Sequence, residues 1–366
     1  MILIYKHPDG IPSTSTRLQG LQHLRFFAAA MVLVGHLLDN LERGSLEGAQ
    51  TYDMLRAFPW HSGVDVFFVI SGFIMYFLMH DQFGSKGVAR EFLLKRLVRI
   101  IPLYWIFTTL MLVAMLSFPE SVNNNEISLG HLLLSYLFVP AAAPSGQLTP
   151  ILSVGWTLNL EMLFYIVFSI SLTFKRWLGL TFIAGSLFTL IMIAQIASFA
   201  PVPFKVWGYP VMLEFLFGIA IAAVYTRGLR LIDWMRLPVI ATAIVLLVIF
   251  ESMGPTEFSQ RWLFWGVPAA MIVAATVLCE DRSGRISNIL VYAGDASYAL
   301  YLSHLFVIRA VAVGFGLVDI NHAGLFLFTS FTAAIAVSIG VFWLIERPIL
   351  TWLRPLLITR SEATRA

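Results

Sequence analysis

Cysteine is all but absent: Cys279 stands alone in 366 residues, so the chain has no internal disulfide and no cysteine-rich metal site. Cysteine usage therefore says nothing about redox compartment. Charge is scarce as well. Only 12% of residues are Asp, Glu, Lys or Arg, about half the share of a soluble domain, while 58% are hydrophobic, which excludes a soluble globular fold and indicates an integral membrane protein. The net charge of +3 is spread over short loops between apolar runs, so no nucleic-acid partner is expected. Familiar catalytic signatures are missing too. VISGF at 69–73 lacks the flanking glycines of a G-x-S-x-G elbow, and Ser303 and His304, adjacent on a helix, point in different directions. H-E-x-x-H, P-loop and G-x-G-x-x-G patterns do not occur, which sets aside metal and nucleotide motifs. No fixed-period repeat, low-complexity tail or soluble extra domain is visible. Cys279 reads as a small apolar helix residue rather than an acyl carrier.

What is present is a succession of apolar runs. Windows long enough to cross a bilayer fall near 20–39, 63–80, 99–118, 156–174, 177–197, 209–225, 237–252, 261–279, 296–315 and 323–345. The expected fold is all-α, a polytopic transmembrane helical bundle of about ten spans. The first run follows a polar tail, carries Arg25 and lacks a small-residue cleavage site, so it is expected to stay attached rather than be removed as a signal peptide. HLLLSYLFVP at 131–140 is too short to span and reads as an interfacial or re-entrant piece of a long loop.

Basic residues set the orientation. Of the 24 Lys and Arg residues, 18 fall on one side of the alternating loops and 4 on the other, with Arg25 and Arg309 inside spans, which predicts both termini in the cytoplasm. The stretch 119–155 has neither Lys nor Arg, as expected of an outside loop. Residues 1–366 then form a single integral-membrane domain, with cytoplasmic tails at 1–19 and 349–366 and an extracytoplasmic loop at 119–155.

Ionisable side chains within the spans are the candidates for function, since each costs a few kcal/mol or more in hydrocarbon. On the first span, RFFAAAMVLVGH places Arg25 and His36 about 20° apart around the axis and about 16.5 Å apart along it. They share a face at two depths, Arg25 near the cytoplasmic side and His36 in the outer third. The topology brings Asp65, Glu161, Glu214 and Arg309 to a depth similar to that of His36, with His304 about one and a half turns below Arg309. An outward-opening polar chamber accounts for this level; mutual salt bridges holding the bundle are the alternative, above all for Glu214 and Arg309. Histidine suits general-base work near neutrality, so His36 is the candidate base and Glu161 the candidate group that orients it. Arg25 offers a planar fork for phosphate or carboxylate at the inner mouth, or else simply anchors the helix by snorkelling.

Several stretches resemble one family. The R-x10-H pair of Arg25 and His36, GVDVFFVISGF at 63–73, FLLKRLVRIIPLYW at 92–105, WTLNLE at 156–161, SYALYLSH at 297–304 and ERP at 346–348 follow one another as in acyltransferase family 3, and within it the branch of exopolysaccharide O-acetyltransferases. The resemblance covers nearly the whole chain. It implies a multi-pass protein of the bacterial inner (cell) membrane that moves an acyl group, acetyl first among the candidates, from cytoplasmic acyl-CoA to a hydroxyl of a surface or exported polysaccharide or lipid-linked oligosaccharide. Acetyl-CoA is then a co-substrate, with no bound cofactor or metal, and membrane lipid is the surrounding partner. His36 matches the family's catalytic histidine, Arg25 its paired arginine and Glu161 the glutamate of W-S-L-x-x-E. The chain departs from that motif at Thr157, where serine is usual, and at Met162, where glutamine or an acidic residue often follows.

Combined with the topology, the resemblance assigns the donor's phosphates to Arg25, Lys95, Arg96 and Arg99. For the last three, plain positive-inside topology is the alternative. Asp65, Ser71 and Trp156 are assigned to the acceptor side, with packing or helix capping open for Asp65. Direct transfer and a two-step route through an acyl intermediate both remain compatible with the sequence. A secondary transporter or flippase for a lipid-linked sugar is the competing class, although the two related halves such a protein should show are not found.

Overall fold

The computed structural model describes residues 14–44, 46–117, 127–197, 200–254, 258–279 and 288–362. Parts of the two predicted tails and residues 119–126 of the predicted outside loop lie outside the described residues, as do Lys6, Arg282, Arg285 and Arg365 of the basic count. The described chain is helical, with two isolated bridges and no strand. In chain order the helices are α1 (Thr14–Arg43), α2 (Gly63–Met79), α3 (Val88–Ser117), α4 (Leu129–Tyr136) and α5 (Trp156–Ser171). There follow α6 (Arg176–Ile196), α7 (Val202–Trp207), α8 (Leu213–Thr226), α9 (Arg236–Ser252) and α10 (Arg261–Phe264). The last are α11 (Gly266–Leu278), α12 (Asn288–Asp295), α13 (Ser297–Leu317), α14 (Ala323–Val341) and α15 (Arg347–Glu362).

Among the described residues, 9 helical stretches are long and apolar enough to cross a membrane, so the chain is a multi-pass membrane protein. The predicted span at 209–225 is the shorter apolar stretch Pro210–Thr226. Within α3, Pro102 removes an amide from the helical ladder, a loss that membrane helices tolerate where neighbours satisfy the freed carbonyl.

The chain divides into two compact units. One comprises Met1–Phe77 and Glu214–Phe342, the other Leu78–Leu213 and Trp343–Ala366. In the first, Leu33, Leu37 and Leu41 repeat at i, i+4 and i+8 on α1 and pack with Leu300, Val307 and Ile308 of α13 and Phe326 of α14. Fully burying each such side chain contributes about 1.5–3 kcal/mol. Between α2 and α8 the contact is backbone on backbone. A Cβ at Gly72 would run into the Phe215 carbonyl, and one at Gly218 into the Val69 carbonyl, the small-residue packing that membrane helices use to approach closely. Gly72→Ala is therefore expected to destabilise by about 1–3 kcal/mol, because neither backbone can give way locally. Gly340→Ala on α14, where no atom lies within 4 Å of the added Cβ, should leave the thermal midpoint in detergent unchanged or slightly raised.

In the second unit, Tyr104 of α3 is fully buried and its hydroxyl donates to the Ser135 carbonyl at 3.0 Å. The Ser135 hydroxyl in turn accepts the Ile151 amide at 3.1 Å, fastening α4 to the loop behind it. Gly155 leaves room for the ring, since a Cβ there would lie 2.7 Å from Tyr104 Cε2. The run at 131–140 thus enters α4, an 8-residue helix too short to cross, with Leu129, Leu133 and Leu137 exposed.

Candidate active site

The first unit gathers three histidines and an aspartate. His36 and Asp39 lie one turn apart on α1, His61 sits in the 3-10 turn Trp60–Ser62 ahead of α2, and His304 projects from α13. One oxygen of Asp39 serves both of the first two rings: Oδ2 is 3.1 Å from His61 Nε2 and 3.4 Å from His36 Nδ1. The ring of His36 meets that of His61 edge-on at 4.8 Å between centroids and stacks on that of His304 at 5.1 Å. Gly35 makes this closeness possible, since a Cβ there would come within 2.8 Å of the His61 ring. Side-chain exposures of 28% for His36, 40% for Asp39 and 35% for His61 leave the cluster open on one side, whereas His304 is buried.

The partners fix where hydrogens sit. A carboxylate only accepts, so the ring nitrogen facing Asp39 carries the hydrogen in each neutral imidazole, and His36 is left with its lone pair on Nε2. That is the tautomer a general base requires. His304 faces the Leu300 carbonyl through Nδ1 at 3.1 Å, and its Nε2 has no hydrogen-bond partner among the described residues.

Beneath the His61 turn lies a buried ion pair. Arg261, at the start of α10, donates from Nε to Asp65 Oδ1 at 3.0 Å and from Nη2 to Asp65 Oδ2 at 2.7 Å, and Nη2 also donates to the His61 carbonyl at 3.1 Å. One guanidinium thereby ties the first turn of α2 to the residue that holds Asp39. Glu214 is fully buried next to this pair, in space that Gly266 provides, because a Cβ at 266 would lie 2.6 Å from Glu214 Oε1.

Arg25 lies on α1 within the same unit, buried, with Nη1 donating to Gln22 Oε1 at 3.4 Å. Ser71 is half-buried six residues beyond Asp65 on α2. Arg309, which the sequence placed at the level of His36, is exposed on α13. Thirteen residues into that span its direction around the axis, not its depth, decides what it faces. Cys279 is buried at the end of α11.

The second unit holds the remaining candidates. Glu161 of α5 accepts a short hydrogen bond from the Tyr165 hydroxyl one turn on. Arg96 of α3 places its guanidinium 5.5 Å from the Phe92 ring and 6.0 Å from the Tyr165 ring. Lys95, exposed, pairs with Glu91 at 2.6 Å, and Arg99 is half-buried one turn beyond. Trp156 opens α5, half-buried.

Sequence reasoning named His36 but not Asp39, His61 or Arg261. Asp39 stands at i+3 from His36, one turn along the same face, and that spacing was the available signal. HSGVD puts His61 just ahead of the second span, at the same predicted level as His36. Arg261 counted as a loop cation because it falls on the boundary of an apolar run.

Comparison with known proteins agrees with these motifs. The exopolysaccharide production protein ExoZ of Rhizobium meliloti (strain 1021) is 35% identical over 314 residues, covering 83% of this chain and 94% of that protein. The acyltransferase MdmB of Streptomyces mycarofaciens is 26% identical over 333 residues, 82% of this chain and 81% of its own length. No solved structure matches the chain. The acyltransferase-domain family profile matches residues 18–347, a range that runs from within the first turns of α1 past the end of α14, and the chain belongs to that family of membrane acyltransferases.

Proposed function

We propose that this acyltransferase moves an acyl group, acetyl in the simplest case, from acyl-CoA on the cytoplasmic side of a bacterial inner membrane to a hydroxyl of an exported polysaccharide or lipid-linked oligosaccharide, with His36 as general base. The observation that carries the base assignment is the contact of Asp39 with His36 Nδ1, which leaves Nε2 as the proton acceptor. A similar protein named for exopolysaccharide production supports the acceptor class.

The chemistry balances without a further reactant. His36 Nε2 takes the hydroxyl proton as the oxygen attacks the thioester carbonyl. The carbon–sulfur bond breaks, an oxygen ester forms, and the departing thiolate takes the proton from the imidazolium and leaves as the free thiol. Asp39 supplies the negative charge that stabilises the imidazolium in between, the orienting part that the sequence gives to Glu161. Glu161, which accepts from the Tyr165 hydroxyl, keeps its assignment as the catalytic glutamate that the resemblance implies. Arg25, Lys95, Arg96 and Arg99 bind the phosphates of the coenzyme as charge-assisted partners. On the acceptor side, Asp65 acts through Arg261 and the His61 turn rather than by direct contact, and Ser71 and Trp156 complete that side.

The test is transfer of label from acetyl-CoA to polysaccharide by membranes that hold the protein, together with the mass of surface polysaccharide from cells with and without it. An ester whose mass names the acyl group is the expected result. Unlabelled polysaccharide, with no mass difference between the two cell populations, overturns the proposal.

A further inference from the structure

We infer that His36, Asp39 and His61 form a site for a borderline divalent transition metal, Zn²⁺ above all, and that its occupation switches the acyltransferase off. Among the described residues this is the one trio of His, Cys, Asp or Glu side chains whose donor atoms converge, all within 4.8 Å of one another. Zinc bonds to nitrogen and carboxylate oxygen of about 2.0–2.1 Å set tetrahedral donor–donor separations at about 3.3 Å. The two contacts to Asp39 Oδ2, at 3.1 and 3.4 Å, already match that edge. Only the two imidazole nitrogens have to draw together. The partial exposure of all three side chains gives the ion a path in and leaves the fourth position to water. Two imidazoles and one carboxylate select zinc, copper or nickel over magnesium and calcium, which prefer oxygen alone.

Inhibition follows from the tautomer. Coordination through His36 Nδ1 replaces the hydrogen facing Asp39, and the neutral ring then carries its hydrogen on Nε2. The nitrogen that would take the acceptor's proton becomes a donor. His61 makes the complementary change, holding the metal through Nε2 with its hydrogen on Nδ1. No proton leaves either neutral ring, and the two positive charges of the ion meet the single negative charge of Asp39. The inhibitory half of the inference rests on His36 acting as base; the binding half does not.

The two halves separate experimentally. Zn²⁺ or Co²⁺ is titrated calorimetrically into the purified full chain in detergent, and metal-induced thermal stabilisation is measured in parallel. One ion per chain is expected, with binding weakened about 100-fold or more in His61→Ala and in Asp39→Asn and retained in His80→Ala, which removes a histidine outside the trio. Unliganded thermal midpoints check that each variant is folded, and Asp39→Asn, which preserves side-chain shape, decides if His61→Ala is not. Transfer by the wild-type protein should fall with metal occupancy and recover on chelation. Absence of binding, or binding indifferent to His61→Ala and Asp39→Asn, overturns the site. Transfer that stops on chelation and returns with zinc overturns the inhibitory role. A metal-free protein with no transfer at all counts against the proposed function, and the titration still decides the site.

Discussion

His36→Ala is expected to lower acyl transfer by about 100- to 10,000-fold while the protein remains inserted at wild-type amount, since a positioned general base contributes that much. The measurement is label transferred from acetyl-CoA to polysaccharide by membranes matched for protein content. His36 lies in a partly open cluster, with its neighbours already holding one another through Asp39 and Arg261, so the substitution leaves a small void at a half-buried position rather than a cavity in the α1–α13–α14 core. Loss of activity should therefore come without loss of protein. Asp39→Asn gives a second reading of the same arrangement. The amide oxygen still accepts from an imidazole, but the negative charge facing the imidazolium is gone, so transfer should fall by less than in His36→Ala. Full transfer by inserted His36→Ala would remove the base assignment.

The hydrophobic record was sufficient for the helices because a membrane span is written in composition alone: about twenty apolar residues need no partner to be recognised. Hence α1, α2, α3 and α5 fall where the apolar windows predict, and the non-spanning character of 131–140 was readable from its length. The stretch Pro210–Thr226 is the marginal case, short because a 3-10 turn opens it and Gly218 brings α8 directly onto α2. Side-chain partnerships were less legible. Depth along a span follows from counting, but the direction of Arg309 or Glu214 depends on which helix face meets a neighbour. Asp65 and Arg261 are 196 positions apart, and no local pattern marks them as partners. The backbone contact of Arg261 with His61 is harder still to foresee, since it depends on the 3-10 turn of Trp60–Ser62, which hydropathy does not register. The R-x10-H pair was found through helical periodicity, whereas the Asp39 that completes His36 sits only three residues further on. At the end of a span a carboxylate resembles ordinary loop polarity.

The Asp65–Arg261 pair carries the largest expected effect on stability. Asp65→Ala and Arg261→Met should each destabilise by about 3–5 kcal/mol, because each leaves an uncompensated charge in a buried position. The two are not equivalent. Asp65→Ala strands a guanidinium that still has the His61 carbonyl and lies 4.6 Å over the Trp265 ring, so part of its charge remains satisfied. Arg261→Met strands Asp65 beside Glu214, two carboxyl groups with no cation between them, and also frees the His61 turn. It should therefore be the more damaging substitution, and the one that also depresses transfer per folded molecule. Removing both charges together with Asp65→Leu and Arg261→Met should cost less than the sum of the single changes, since neither partner is then left alone. Thermal midpoints of the single and double variants in detergent give the coupling directly. Additive effects, or single changes within about 0.5 kcal/mol of wild type, would show that the pair neither holds α10 to α2 nor fixes the turn on which His61 stands.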